Sequence, residues 1–125
     1  MLQNISDAER LLMKLIWERH RLSFSDIMTE LEPQGKDWKS STVRTFLARL
    51  IEKGYLNSER SGHSVYYSPA ITEQEYMSAQ TTTFVNSMFD GDIKGLFASL
   101  FGQEVLDRET MDDLADFWRK TKEGE

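Results

Sequence analysis

The chain has 125 residues, no cysteine and a formal net charge of -6. That length suits one domain, or one small domain with an appendage. The lack of cysteine excludes disulfides, thiolate metal sites and a cysteine nucleophile. No apolar run approaches the roughly 20 residues of a membrane span, and Met1-Leu2-Gln3-Asn4 shows no signal peptide, so a cytoplasmic chain without direct membrane insertion is expected.

Ser6-Asp7-Ala8-Glu9 reads as a capping box. The helix it opens runs to about Arg19, with Leu12, Leu15 and Ile16 on its inner face and Trp17 at the edge. Arg21-Leu22-Ser23 is a short break. Ser23, with Asp26 three residues on, caps a second helix whose apolar side is Ile27, Met28 and Leu31. Pro33 and Gly35 end it.

The third helix is expected over Ser40–Lys53. Val43, Phe46, Leu47 and Leu50 form its apolar stripe, and Gly54 closes it. The other face carries Ser41, Thr42, Arg44, Thr45, Ala48 and Arg49. Small hydroxyl residues let a backbone come close to a duplex, and arginine reaches phosphates or guanine edges. Beyond Gly54, Tyr55–Arg60 and Ser64–Pro69 flank the polar turn Ser61-Gly62-His63, a β-hairpin pattern. Three helices followed by a hairpin are the order of a winged helix-turn-helix. Candidate DNA contacts are therefore Lys39, Ser40, Ser41, Thr42, Arg44, Thr45, Arg49 and Lys53 on the helix, with Arg60, His63 and Tyr67 on the wing.

Charge is divided along the chain. Residues 1–69 hold ten Lys/Arg and nine Asp/Glu, net +1; residues 70–125 hold five and twelve, net -7. A local basic patch, not the whole-chain balance, decides phosphate contact. The acidic half is expected to lie away from DNA.

Thr72-Glu73-Gln74-Glu75 is a further capping box. It opens a helix bearing Tyr76, Met77, Phe84, Val85, Met88 and Phe89, broken by Asp90-Gly91-Asp92. Ile93, Leu96, Phe97, Leu100 and Phe101 form the next stripe, stopped at Gly102. Asp107 caps a last helix with Met111, Leu114, Ala115, Phe117 and Trp118. Such short helices cannot bury all these faces alone, and a second copy related by a two-fold axis would cover them. Phe84, Met88, Ile93, Leu96, Phe97, Leu100, Phe101, Met111, Leu114 and Trp118 are the expected dimerisation residues. The fold expected is mainly α with a small β-hairpin, divided into a winged helix-turn-helix over 1–70 and a helical dimerisation region over 71–125.

Several stretches together carry a resemblance: Ile5-Ser6-Asp7-Ala8-Glu9, Leu15-Ile16-Trp17-Glu18, Trp38 through Leu50, Lys53-Gly54-Tyr55-Leu56 and Tyr66-Tyr67-Ser68-Pro69. The chain resembles the penicillinase-repressor family, the BlaI/MecI/CopY group of bacterial repressors. The resemblance implies a homodimer on palindromic double-stranded operator DNA, with the helix from Ser40 to Lys53 in the major groove and the Glu59–Tyr67 hairpin on the backbone. It also implies, for β-lactam-responsive members, cleavage in the dimerisation region by a membrane-bound antirepressor metalloprotease, typically between Asn and Phe. The matching place here is Ser99-Leu100, which has no Asn-Phe pair. Where the family often has Ser-Pro-Lys after the Trp, this chain has Lys39-Ser40-Ser41. The paired Cys-x-Cys motifs of copper-responsive members are missing.

Other chemistry finds little support. His20 and His63 stand 43 positions apart, no metal-ligand spacing exists, and the seven glycines form no phosphate-cradling loop. Neither a metal, a cofactor nor an enzymatic activity is expected. Asp112, Asp113 and Asp116 read as the solvated face of the last helix. Two other functions fit the same elements: a winged-helix adaptor for protein contact, and a regulator with a small-molecule pocket among Phe84, Met88, Phe97, Phe101 and Trp118. The small polar face of the third helix argues against the adaptor, because protein hot spots favour Tyr and Trp.

Overall fold

The computed structural model describes residues 2–102 and 106–123. The chain forms two compact units, Met1–Gln80 and Thr81–Glu125.

The first unit begins with α1 (Asp7–Arg19), β1 (Leu22–Ser23) and α2 (Phe24–Leu31). Both helices start where their sequence says they should. Ser6 and Glu9 bond each other's backbone N–H at 2.8 and 3.1 Å. Ser23 and Asp26 repeat the arrangement at 3.3 and 3.0 Å. Each box satisfies two of the amides that a helix start leaves open. A 3-10 turn at Glu32–Gln34 and Gly35 lead to α3 (Ser40–Glu52).

The end of α3 is a Schellman motif. Gly54 takes φ +85°. Its N–H donates to Ile51 at 3.0 Å, and the Tyr55 N–H donates to Leu50 at 2.9 Å. The motif turns Tyr55 inward, where it and Leu50 are both fully buried.

β2 (Leu56–Ser61) and β3 (Ser64–Pro69) form the hairpin. Gly62, at φ +64°, supplies the positive φ that its tight turn requires. The sheet has three antiparallel strands in the order β1-β3-β2. Leu22 and Ser58 flank Tyr67 on either side. The core gathers Leu12, Met13, Ile16, Ile27, Leu31, Val43, Leu47 and Leu50 beneath α3.

The Thr72–Glu75 box opens α4 (Glu73–Phe89) with bonds of 3.1 and 3.0 Å. Its first turns belong to the first unit, which runs past the expected boundary at residue 70. Tyr76 is buried between Trp17, at 5.4 Å between ring centroids, and Tyr55, at 6.0 Å. The Trp17 indole N–H donates to the Ile71 carbonyl at 3.0 Å.

The second unit holds the rest of α4, then α5 (Ile93–Gly102) and α6 (Arg108–Glu123). The Thr110 N–H, donating to Asp107 at 2.7 Å, holds the Asp107 carboxyl below its usual range. Among the described residues no helix is long and apolar enough to cross a membrane.

Nothing lies within 4 Å of where a Cβ on Gly54 would stand, so only the backbone conformation resists substitution. Gly54→Ala is expected to lower the unfolding free energy by about 1 kcal/mol. A fall in the urea midpoint at unchanged slope would show it.

Candidate nucleic-acid interface

The first unit turns one side of α3 to solvent. Lys39, Ser40, Ser41, Arg44, Thr45 and Arg49 are exposed, and Thr42 is half-buried. The opposite side, Val43, Leu47 and Leu50, is locked in the core. The Thr45 hydroxyl donates to the Ser41 carbonyl at 3.0 Å, so that it is held close to the helix backbone.

Beside α3 stands the wing. Arg44, Arg60 and His63 line one cleft of about 250 Å³ together with Ser23, Phe24, Ser25, Ser64 and Val65. Its lining thus carries two guanidinium groups, an imidazole and three serines. Among the described residues neither guanidinium has an ion-pair partner. A cationic hollow next to a helix of small polar residues is chemically suited to a phosphodiester backbone.

Two expected contacts are corrected. Lys53 is engaged within the fold and is not free at the exposed polar face of α3. Its ammonium donates to the Asn4 carbonyl at 2.9 Å and to both Glu9 oxygens at 3.0 and 3.2 Å. An ammonium has three donors, and all three are used. Tyr67 is likewise no wing contact. Paired between Leu22 and Ser58, it points into the core and is 7% exposed. Its neighbour Tyr66 takes the outer face, with the Arg21 guanidinium 3.8 Å from its ring centroid.

Phe24 was not among the expected contacts, yet the Arg44 guanidinium carbon lies 3.9 Å from its ring centroid. The signal was present: Phe24 stands three, four and seven residues before Ile27, Met28 and Leu31 and completes their stripe. Trp38, just before α3, meets Phe46 edge-on at 5.3 Å, and the Lys36 ammonium lies 5.8 Å from the Trp38 ring.

In the second unit most expected dimerisation residues are open to solvent. Phe84, Met88, Ile93, Phe97, Phe101, Met111, Leu114 and Trp118 are exposed, with Met88 at 66% and Trp118 at 65%. Phe117 is exposed as well, at 70%. Leu96 and Leu100 are half-buried. Ser99 is exposed in the same helix. Of the five residues of the expected small-molecule pocket, Trp118 lines a groove with Ala115, Arg119, Lys122 and Glu123, and Phe84 packs edge-on against Phe89.

These features define a winged helix-turn-helix protein of the nucleic-acid-binding kind. Residues 5–120 match the penicillinase repressor family. The penicillinase repressor of Bacillus licheniformis is 31% identical over 110 residues, covering 88% of this chain and 85% of the relative. The methicillin resistance regulatory protein MecI of Staphylococcus aureus is 27% identical over 116 residues, covering 93% and 94%. The B. licheniformis BlaI monomeric form, solved in complex with the blaP half-operator, superposes with a TM-score of 0.52 at 37% identity, over 61% of this chain and 92% of that one. The chain belongs to the penicillinase repressor family.

Glu9 supports a stability prediction. Burial works to raise its carboxyl pKa, but the Ser6 backbone N–H and the Lys53 ammonium outweigh it, and the pKa lies below the usual value. The Glu9 contribution is therefore complete above the ordinary carboxylate range and is lost as pH falls through the lowered folded-state value. Lys53→Met leaves that buried carboxylate unpaired and is expected to cost about 3 kcal/mol near neutral pH. The loss should shrink as pH falls and Glu9 takes up a proton; urea titrations from neutral pH downward measure both.

Proposed function

We propose that this chain is a transcriptional repressor that binds a palindromic operator as a homodimer in the cytoplasm. The observation that carries the reading is the cleft of Arg44, Arg60 and His63 beside the exposed polar face of α3. Lys39, Ser40, Ser41, Thr42, Arg44, Thr45 and Arg49 follow the major groove, while Arg60 and His63 meet the backbone. One relative is a penicillinase repressor and another a regulatory protein of methicillin resistance, and the BlaI relative was solved on a half-operator, which supports the same role here.

The dimer rests on the second unit. Soluble monomers rarely expose so many large apolar side chains in one short segment. Burial against a second copy by a two-fold axis removes them from water and sets two α3 helices on two half-sites. Ile93, Phe97 and Phe101 recur every four residues on α5 and are exposed, whereas Leu96 and Leu100 are half-buried, which supports the exposed three as the centre of the seam. Release by a membrane-bound antirepressor metalloprotease at Ser99-Leu100 would require α5 to open first, because the bond lies inside a helix.

Changing Arg44 and Arg49 together to alanine is expected to abolish operator binding while sedimentation still reports a dimer. Retained affinity would misplace the recognition surface. Phe97→Asp combined with Trp118→Asp is expected to yield monomers by light scattering and to weaken operator binding about 100-fold or more, since the two half-sites then bind separately.

A further inference from the structure

Arg44 is exposed on α3, yet its side chain is held from outside the helix by a ring of α2. Its guanidinium carbon lies 3.9 Å from the centroid of the Phe24 ring. Phe24 is the first residue of α2 and is half-buried against the core. The Ser23–Asp26 capping box fixes the backbone on which it sits. The platform under Arg44 is therefore held by a cap on one side and the core on the other. Stacking uses the face of the ring and leaves guanidinium N–H groups free to donate.

The stacking also sets direction. It draws Arg44 into the cleft that Arg60 and His63 enter from the wing. The Asp26 carboxylate is engaged with the Ser23 backbone N–H at 3.3 Å. Two cations sharing one hollow repel each other unless an anion sits between them. A guanine edge is matched by one arginine. Two guanidinium groups with serine hydroxyls around them match a phosphate group.

We infer that Arg44, braced by Phe24, clamps a backbone phosphate together with Arg60 of the wing, and that base reading falls to the rest of α3, chiefly Arg49. Phe24 is a positioning residue: it acts through Arg44. This inference rests on the DNA-binding function proposed above.

The test uses the full chain with two duplexes: the tightest binder recovered from fragmented genomic DNA, and a scrambled duplex of equal length and composition. Each is titrated between about 50 and 200 mM salt. Arg44→Gln is expected to weaken both complexes by the same factor, about 10-fold, and to reduce the slope of log affinity against log salt by about one per subunit. Arg49→Gln is expected to narrow the ratio between the two duplexes. Phe24→Leu, which keeps apolar volume, should follow Arg44→Gln in both readouts, about 3-fold in affinity by the modest strength of such a contact. Phe24→Tyr should restore wild-type behaviour, and Phe24→Leu should add nothing to Arg44→Gln.

If Arg44→Gln collapses the ratio between duplexes at unchanged salt slope, Arg44 reads a base and the inference falls. It falls too if Phe24→Leu weakens binding equally with and without Arg44. A wild-type chain that binds neither duplex overturns the DNA-binding function itself, and this shows before any substitution is made.

Discussion

The Lys53 ammonium spends its three hydrogens on Glu9 and Asn4. That one cluster joins the end of α3 to the start of α1 and to the segment before it. Glu9 is 3% exposed in its side chain and Lys53 23%, so water screens the pair poorly. Such a pair adds little net stability compared with apolar residues of like volume. Its consequence is geometric. Glu9 already caps α1 through Ser6, so the carboxylate that starts one helix also holds the end of another. Rotation of α3 about its own axis would break the Lys53 bonds to Glu9 and Asn4.

With that end fixed, the rest of the surface follows. The Schellman turn at Gly54 leads directly from α3 into buried Tyr55 and then into β2. The hairpin is in turn anchored by β1, whose two residues pair with Tyr66 and Tyr67. Ser23 serves two elements: it ends β1 and caps α2. The same short stretch therefore sets the wing, through β3, and the Phe24 ring that lies against Arg44. Helix and wing share a cleft because both are fastened to this stretch and to the core below it.

What could be read from the sequence was local. All three Ser/Thr-x-x-Asp/Glu boxes form, because their bonds span three residues and need no tertiary partner. The winged helix-turn-helix order follows from helix periods and one Gly-bearing turn. Lys53 was misread because its partner lies 44 residues away, and a basic residue at the end of a basic helix looks like its neighbours. Tyr67 was misread through parity. Adjacent Tyr66 and Tyr67 must point to opposite faces, and only the register against β1 and β2 says which goes inward. The stacking of Arg44 on Phe24 joins two helices and has no sequence spacing of its own. In the second unit apolar periodicity was visible, but which side of α5 is covered within one chain was not: Leu96 and Leu100 share a stripe with Phe97 and Phe101 in the sequence, and differ only in packing.

Selection from fragmented genomic DNA at near-physiological salt shows whether the chain binds a symmetric operator as a dimer. Two α3 helices carried by a two-fold dimer should enrich a symmetric site whose halves are centred about 10 base pairs apart, or a small multiple of that spacing. Recovery of fragments without a shared symmetric sequence, held only by binding that vanishes as salt rises, would contradict it.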